Sequence, residues 1–263
     1  TIGLKICRAT KYAVVCNFER HIIMEEKTYL IFGISKGLGK ALAKYLPNDR
    51  DATIGISRTK PDYLDNFPNV KWISADLSEP IKATEIIKAT IKNKKIDYFI
   101  YNVGIWESNG FTKNYSFADN TQNEILNLIN TNISSCILTI QALIENLKKS
   151  ANAKIILIGS TWGLDNHNGK EVTFSATKFA LRGIVHSLRQ TLKEHSIGIS
   201  ILNLGTLATE YEMEEGAQIV LDKHKGYSIP LYDVIQAMKF IISTTNACCI
   251  KEIDMPAMKD DST

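Results

Sequence analysis

Phe32-Gly33-Ile34-Ser35-Lys36-Gly37-Leu38-Gly39 joins a short apolar run, Thr28 to Phe32, to a segment of helical spacing from Ala41 to Leu46. Its three glycines have GxxxGxG spacing, which indicates a tight turn between a strand and a helix. Free backbone N–H groups at a helix N-terminus can bind phosphates, and side chains in the turn would block that approach. The stretch therefore predicts a strand–turn–helix unit that holds a nucleotide.

The same alternation of short apolar runs and longer helical periods continues along the chain. Strands are predicted at 28–32, 52–57, 70–74, 97–101, 154–158, 197–204 and 250–255, and helices at 79–91, 120–147, 173–193 and 232–242. Alternating strands and helices imply right-handed crossovers between parallel strands. The sequence therefore predicts one doubly wound α/β domain, with a parallel sheet of about seven strands and helices on both faces.

Composition and charge exclude several classes of protein. The 263 residues are 44% apolar and 22% charged, and the net charge of +3 is too small to indicate a nucleic-acid or membrane partner. No apolar run approaches the roughly 20 residues that a membrane span needs. Cysteine usage predicts reduced thiols, no metal site and a cytoplasmic location, because the count is odd and no CxxC spacing occurs. The cysteines are Cys7, Cys16, Cys136 and the pair Cys248 and Cys249, which we place in a strand region.

The first 23 residues differ in character from the rest. Charged side chains interrupt every short apolar run there, so the segment does not resemble a secretory signal. Met24, just before the first strand, is typical of a translation start. We therefore predict that 1–23 is an appended leader and that 24–263 is the domain. The alternative is an extra strand or interface arm around Tyr12 to Val15.

Two cations near the glycine turn bear on the choice of cofactor. Arg58 follows the second predicted strand, where an NAD enzyme would place an acid to hold the ribose 2′-hydroxyl. Lys36 lies inside the turn. Both can pair with a 2′-phosphate, and the forked donors of Arg suit that group. We therefore predict NADP(H), while solvated loop charges remain the alternative reading.

Six motifs in order resemble those of the short-chain dehydrogenase/reductase family over roughly residues 27–256. Residues 32–39 are similar to the family's TGxxxGxG, with Phe32 for Thr, and Ala75-Asp76-Leu77-Ser78 is similar to the segment whose Asp contacts the adenine. Asn102-Val103-Gly104 resembles the end of its NNAG motif. Residues 204–209 resemble its PGxxxT segment near the nicotinamide, with Leu204 for Pro.

The catalytic residues of the family can be placed on the chain in the same way. Ser160, Phe174 and Lys178 fall on its Ser, Tyr and Lys positions, and Asn132 on the Asn that helps to hold a proton-relay water. The resemblance implies a Rossmann-type fold, a small carbonyl or alcohol substrate, and a homodimer or homotetramer formed through the helices 120–147 and 173–193. The cofactor residues that it implies are Gly33, Ser35, Lys36, Gly37, Leu38, Gly39, Arg58, Asp76, Leu77, Asn102, Gly104, Lys178, Gly205, Thr206 and Thr209.

Phe174 is the departure from the family pattern that matters most. In the family the Tyr phenol gives a proton to the carbonyl oxygen, and a phenylalanine ring has no proton to give. Three explanations remain open: a deliberate Tyr-to-Phe replacement, a natural enzyme whose substrate needs no phenolic donor (an imine or an activated alkene), and a non-catalytic NADP(H)-binding sensor or assembly subunit. Asp165 and His167, in the loop between Ser160 and Phe174, are candidates for a substitute acid, and a surface-loop His is the alternative.

The substrate end has weaker signals. Residues 210–230 have no firm pattern, and the resemblance implies that they form a lid. Trp106 and Trp162 are expected to flank the pocket, which favours a hydrophobic or ring-bearing substrate. Core packing explains a Trp equally well, so the substrate is not named by the sequence.

Overall fold

The computed structural model describes residues 25–165 and 167–260 as alternating strands and helices. The strands are β1 (Thr28–Phe32), β2 (Ala52–Ser57), β3 (Val70–Ser74), β4 (Tyr98–Tyr101), β5 (Lys154–Ile158), β6 (Gly198–Leu204), β7 (Leu207–Ala208), β8 (Ile229–Pro230) and β9 (Glu252–Met255). The helices are α1 (Gly37–Tyr45), α2 (Pro80–Ile91), α3 (Gln122–Ile129), α4 (Ser135–Leu147), α5 (Val172–Leu192), α6 (Ala217–His224) and α7 (Leu231–Ser243). The predicted leader, 1–23, lies outside the described residues.

Seven strands form one sheet in the order β3-β2-β1-β4-β5-β6-β9, and all six pairings are parallel. This confirms the predicted doubly wound α/β fold. The strand order reverses between β1 and β4, and a crevice opens there at the carboxyl ends of the strands. β7 and β8 pair with each other in a separate two-stranded parallel sheet.

Two hydrophobic clusters cover the two faces of the sheet. In β1, Leu30 and Phe32 contribute to one cluster, and Tyr29 and Ile31 contribute to the other. A parallel strand buried on both faces reads as a continuous apolar run, which is why the sequence predicted these strands well. Each buried Leu, Ile or Phe side chain stabilises the fold by about 1.5–3 kcal/mol. The sheet is therefore a rigid base for the loops at its carboxyl edge.

The predicted helix at 120–147 is broken in the middle. A turn of π-helix, Asn130–Ser134, separates α3 from α4, and the N–H of Ser135 donates to the carbonyl of Asn130 five residues earlier. Such turns are frequently found at functional sites. The extra residue places Asn132 inside the protein, where it is fully buried.

Two other regions differ from the sequence predictions. The segment 210–230 contains α6 and a 3-10 turn, Met213–Glu215, with a capping box between Glu212 and Glu215. So short a helix gives little periodicity and depends on tertiary contacts. Cys248 and Cys249 are exposed and precede β9, so their predicted place in a strand is wrong. No helix in the described part of the chain has the length and apolar composition of a membrane span.

Candidate active site

A cleft of about 780 Å³ opens at the carboxyl ends of β1, β2, β4, β5 and β6. This volume suits a ligand site. The predicted site residues line the cleft, apart from Gly39 and Asn132, which are buried beside lining residues. Those that line it are Gly33, Ser35, Lys36, Gly37, Leu38, Arg58, Asp76, Leu77, Asn102, Gly104, Ser160, Phe174, Lys178, Gly205, Thr206 and Thr209.

The glycine turn leaves no room for side chains. Gly33 has φ +76°, and a Cβ there would lie 2.1 Å from the carbonyl oxygen of Asn102. A Cβ on Gly39 would lie 1.8 Å from the carbonyl oxygen of Gly33. The first N–H groups of a helix have no partner inside it, and Gly37 and Leu38, which begin α1, line the cleft. The turn therefore fits the pyrophosphate of a dinucleotide, which has to approach the backbone closely.

Charged side chains of both signs line the end of the cleft that lies beyond β2 and β3. The Asp76 carboxylate accepts hydrogen bonds from the N–H and the hydroxyl of Ser78 at 3.0 and 2.8 Å. Burial pushes the pKa of Asp76 up, but these hydrogen bonds and the charge of Arg58 outweigh it, so the pKa is lowered. Arg58 and Lys36 line the same cleft, and residues 57–60 contain no acid.

Lys178 is the buried cation at the centre of the cleft, with 4% of its surface exposed. Its Nζ donates to the carbonyl of Ile158 at 3.1 Å and lies 5.4 Å from the centroid of the Phe174 ring. A Cβ on Gly104 would come within 3.0 Å of this Nζ, so that glycine makes space for the ammonium. Burial lowers the pKa of Lys178 to about 8. An ammonium has three donors, so two remain for a ligand.

Ser160 follows β5 directly and lies at the same edge of the sheet as Lys178. Its hydroxyl oxygen accepts a hydrogen bond from the N–H of Trp162 at 3.2 Å. This bond fixes the oxygen, and the hydroxyl proton stays free to be donated to a ligand. Ser160 and Lys178 therefore present donors to one cleft, beside the ring of Phe174.

Four aromatic rings close the substrate end of the cleft. Phe111 lies 5.3 Å from Phe174 and 4.6 Å from Trp162, and Trp106 lies 6.3 Å from Phe174, measured between ring centroids. The rings are tilted or edge-to-face, as aromatic pairs prefer. Trp106 and Phe111 are about half exposed, with 54% and 49% of their surface accessible. Trp106 and Trp162 therefore lie where the sequence predicted, and Phe111 is an addition that it missed.

Two buried acids tie the loop after β4 to the start of α5. Glu107 is fully buried, and its Oε1 accepts from the N–H groups of Thr173 and Phe174 at 2.9 and 3.2 Å. Glu171 accepts from the N–H of Phe111. The phenol oxygen of Tyr115 accepts from the N–H of Val172 at 3.0 Å. Glu107 and Tyr115 therefore cap the helix that carries Phe174 and Lys178, and Glu171 ties the loop at Phe111 to the start of that helix.

No sequence signal marks Glu107 as a cap. Capping side chains normally adjoin the helix that they cap, whereas Glu107 lies 66 residues before Thr173 in the chain. No sequence pattern marks Phe111 either. Its backbone has a positive φ of 63°, which is uncommon for a bulky residue and indicates that tertiary contacts determine the conformation of this loop.

Replacing Glu107 with Ala is expected to lower the free energy of unfolding by about 3 kcal/mol, because two buried N–H groups lose a charged acceptor. Glu107→Gln keeps an acceptor oxygen and is expected to cost less. Glu85→Ala, on the exposed face of α2, is the matched control. Urea unfolding of the variants measures the difference, and equal stability of the Glu107→Ala and unchanged proteins would contradict the capping role.

Asn132 does not line the cleft itself but is hydrogen-bonded to Ile105, which does. Its Oδ1 accepts from the N–H of Ile105 at 2.9 Å, and its Nδ2 donates to the carbonyl of Ile105 at 2.8 Å and to the hydroxyl of Thr177 at 3.0 Å. The side chain therefore fastens the π turn to the loop after β4. Its part in holding a relay water stays a prediction.

Neither candidate for a substitute acid lies in the cleft. The Nδ1 of His167 accepts from the N–H of Gly169 at 3.0 Å, and its Nε2 lies 2.9 Å from the hydroxyl of Ser175. The side chain of Asp165 is 82% exposed and lies 4.0 Å from Arg182. Neither residue is among those that line the cleft. The structure therefore does not favour His167 or Asp165 as a proton donor.

The segment after β7 is fastened to α1 by ion pairs. Glu212 lies 2.6 Å from the Nζ of Lys40, and Glu214 lies 3.1 Å from the Nζ of Lys44. α1 begins at the glycine turn, so these pairs hold the segment near the cleft. Such exposed pairs weaken as salt is added.

Comparisons with known proteins agree with this geometry. The profile of the family described as short chain dehydrogenase matches residues 27–219. The 3-oxoacyl-[acyl-carrier-protein] reductase FabG of Buchnera aphidicola subsp. Acyrthosiphon pisum (strain APS) is 30% identical over 195 residues, which cover 72% of this chain and 76% of that protein.

Solved structures have the same fold. A short chain dehydrogenase family protein from Francisella tularensis subsp. tularensis SCHU S4 aligns with a TM-score of 0.71 at 21% identity, covering 88% of this chain and 97% of its own. A metagenomic short-chain oxidoreductase in complex with NADP aligns with a TM-score of 0.70 at 17% identity, covering 88% and 98%. At these identities the likeness shows the fold alone.

Proposed function

This chain belongs to the short-chain dehydrogenase/reductase family, and from that premise we propose that it is an NADPH-dependent oxidoreductase acting on the carbonyl or alcohol group of a small molecule. The observation that supports this best is the convergence of Ser160 and the buried Lys178 beside the glycine turn. A buried cation without an acidic partner is costly to keep. Its retention there is best explained by a role at the cofactor and substrate.

The cofactor would supply or accept a hydride when it is bound. The glycine turn would hold its pyrophosphate, since Cβ atoms at Gly33 or Gly39 would fill the space. The Nζ of Lys178 would donate to the ribose hydroxyls, and the Ser160 hydroxyl would donate to the substrate oxygen and stabilise the charge that develops there. Phe174 has no proton to give, so in this chain the remaining proton would come from another donor at the cleft.

The preference for NADP(H) rests on Arg58 and Lys36, which line the cleft, and on residues 57–60 after β2, which contain no acid. The metagenomic relative in complex with NADP has the same fold. A forked guanidinium can donate two hydrogen bonds to the oxygens of a 2′-phosphate. The ribose of NAD carries no phosphate there to accept them.

Replacing Arg58 with Asp is expected to weaken NADPH binding about 10- to 100-fold, since a charge-assisted bond is worth about 1.5–3 kcal/mol and a repulsion is added. NADH binding is expected to change much less. Titration of both cofactors measures the ratio, and Arg50→Asp, on an exposed loop, controls for the charge change. An unchanged ratio would remove Arg58 from the 2′-phosphate site.

The substrate class is proposed from the aromatic end of the cleft. Trp106, Phe111, Trp162 and Phe174 form an apolar wall that suits an acyl chain or a planar ring. The Buchnera relative is named as a 3-oxoacyl reductase. The test is NADPH oxidation by this chain over a panel of 3-oxoacyl thioesters and aromatic ketones. Turnover of any member of the panel supports the proposal. The proposal is contradicted if this chain and its Phe174→Tyr variant both bind NADPH and neither turns over any member.

Phe174 itself favours a second candidate, a non-catalytic NADP(H)-binding sensor or assembly subunit. Such a protein needs the cofactor end of the cleft and no proton donor. The intact Ser160 and Lys178 argue against it. The two candidates differ in the Phe174→Tyr variant, which gains turnover only if the rest of an enzyme site is in place.

We also propose a homodimer or homotetramer. The helices α3–α4 and α5 expose large apolar side chains, namely Leu126, Ile137, Val172 and Phe179. Exposed apolar groups on neighbouring helices are typical of contact surfaces. Light scattering after size-exclusion chromatography measures the mass.

A further inference from the structure

A second concave region lies at the opposite end of the sheet from the active-site cleft. It is bounded by the amino ends of β5 and β6, the last turns of α5 and the segment before β9, and its volume is about 730 Å³. The amino ends and the carboxyl ends of parallel strands lie at opposite edges of the sheet. This region therefore shares no lining residue with the active-site cleft. We call it the basic cavity; it is lined by Asn152, Lys154, His186, Arg189, Gln190, Lys193, Ser196, Ile197, Gly198, Asn246, Ala247, Cys248, Cys249, Lys251 and Glu252.

The basic cavity carries a marked excess of positive charge. Lys154, Arg189, Lys193 and Lys251 line it, against one acid, Glu252. That acid is already engaged, because its Oε1 lies 2.7 Å from the Nε of Arg182 and accepts from the Nδ2 of Asn203 at 2.6 Å. Four cations therefore face one concave space without a free counter-charge among the described lining residues.

One of these cations, Lys154, is buried, and a second, Arg189, has one buried nitrogen without a hydrogen-bond partner among the described residues. Lys154 has 2% of its surface exposed, and its Nζ donates to the neutral hydroxyl of Thr244 at 2.9 Å. Burial lowers the pKa of Lys154. The Nη1 of Arg189 is buried and has no hydrogen-bond partner within the described residues. Leaving a buried polar group unsatisfied is costly, and more so when it is charged.

An acceptor in the same cavity is also unsatisfied. The Oδ1 of Asn152 is buried without a hydrogen-bond partner in the described part of the chain, while its Nδ2 donates to the carbonyl of Thr244 at 2.9 Å. The cavity thus offers cationic donors for an anion and a neutral acceptor for a hydroxyl. A ligand that carries both an anionic group and hydroxyl groups can pair with the cations and donate to Asn152 together.

We propose that the basic cavity binds a small phosphate ester of a hydroxylated carbon skeleton, such as a sugar phosphate or a nucleotide. The forked guanidinium of Arg189 pairs with the phosphate oxygens, and Lys154 and Lys251 add point charges. Asn152 accepts a hydrogen bond from a hydroxyl of the skeleton. The basic cavity shares no lining residue with the cleft, so this is a second site, separate from that of the cofactor and the substrate.

Calorimetric titration of the full chain with ribose 5-phosphate tests the proposal. Replacing Arg189 or Lys251 with Gln is expected to weaken binding tenfold or more, and ribose without phosphate is expected not to bind. Lys88→Gln, an exposed position on α2, is the matched control and is expected to leave the affinity unchanged. Since Lys251 is exposed, its variant keeps the test valid if Arg189→Gln unfolds at a lower temperature.

A further variant separates this site from the cofactor site. If Arg58→Gln removes the binding of ribose 5-phosphate while Arg189→Gln and Lys251→Gln leave it intact, the phosphate binds in the cleft and the proposal is overturned. Inorganic phosphate that binds as tightly as ribose 5-phosphate would overturn the role of Asn152 and the assignment to an ester. Weaker binding of inorganic phosphate supports both.

Discussion

Replacing Phe174 with Tyr is expected to raise kcat for carbonyl reduction by about 10²- to 10⁴-fold, which is the usual contribution of a positioned general acid. The change adds one hydroxyl group to a ring that is already in place between Trp106, Phe111 and Trp162. The ring lies beside the ammonium of Lys178, with 5.4 Å from Nζ to the centroid. A nearby positive charge favours the phenolate, so it lowers the pKa of a phenol at this position.

The comparison is made as steady-state NADPH oxidation with a carbonyl panel, on both proteins at equal cofactor saturation. Phe179→Tyr, also on α5 but partly exposed, adds the same hydroxyl elsewhere and is expected to change nothing. A gain confined to kcat, with NADPH affinity unchanged, identifies the new phenol as the proton donor. If both proteins bind NADPH and neither turns over any substrate, the enzyme proposal fails and the binding-protein candidate gains support.

Replacing Lys178 with Met is expected to have two opposite effects, a more stable apoprotein at pH 7 and a loss of function. Burial holds the pKa of Lys178 at about 8, below its ordinary value of 10.5, because charging the buried amine is costly. This difference corresponds to on the order of 3 kcal/mol at pH values below both pKa values. Met has similar length and no charge, so it removes this penalty. Part of the gain is offset by the lost hydrogen bond to the carbonyl of Ile158.

The pH dependence distinguishes this cause from better packing. The pKa of Lys178 is lower in the folded than in the unfolded chain, so between about pH 8 and 10.5 the unfolded chain binds more protons. The free energy of unfolding of the apoprotein therefore rises with pH over this window through Lys178. The advantage of Lys178→Met is expected to be full below pH 8 and to disappear towards pH 10.5. Lys88→Met, on exposed α2, is the control for loss of a lysine.

Function is expected to change in the other direction. In the Phe174→Tyr background, Lys178→Met is expected to lower kcat/KM by about 10²-fold or more, because a preorganised charge at the site is lost. NADPH affinity is expected to fall as well. Chemical denaturation at several pH values, together with cofactor titration, measures both effects. A variant that is less stable at pH 7 and binds NADPH normally would show that Lys178 is a structural residue.

The strands could be predicted because their signal is local. Those of a doubly wound sheet are buried on both faces, so they read as apolar runs, and the seven predicted strands all occur within a few residues of their expected limits. The π turn at Asn130–Ser134 could not be predicted, since α3 and α4 have one nearly continuous helical period and the break depends on what Asn132 contacts.

The site was predicted in part for a similar reason. Residues such as Gly33 and Lys178 lie at the carboxyl edge of the parallel sheet. The order of the strands determines which residues meet at that edge. Glu107 and Phe111 were missed because their roles depend on α5, which begins about 60 residues later in the chain. The basic cavity was missed because Asn152, Arg189 and Lys251 come from three separate segments.

The sequence by itself determined the parallel α/β architecture and the glycine turn, because sterics and hydrophobic burial act between neighbouring residues. Tertiary structure alone decided how deeply Lys178 is buried, which acids cap α5 and where unsatisfied polar groups gather. Those properties depend on solvent exclusion and on hydrogen bonds between distant segments, and neither exists until the chain has folded.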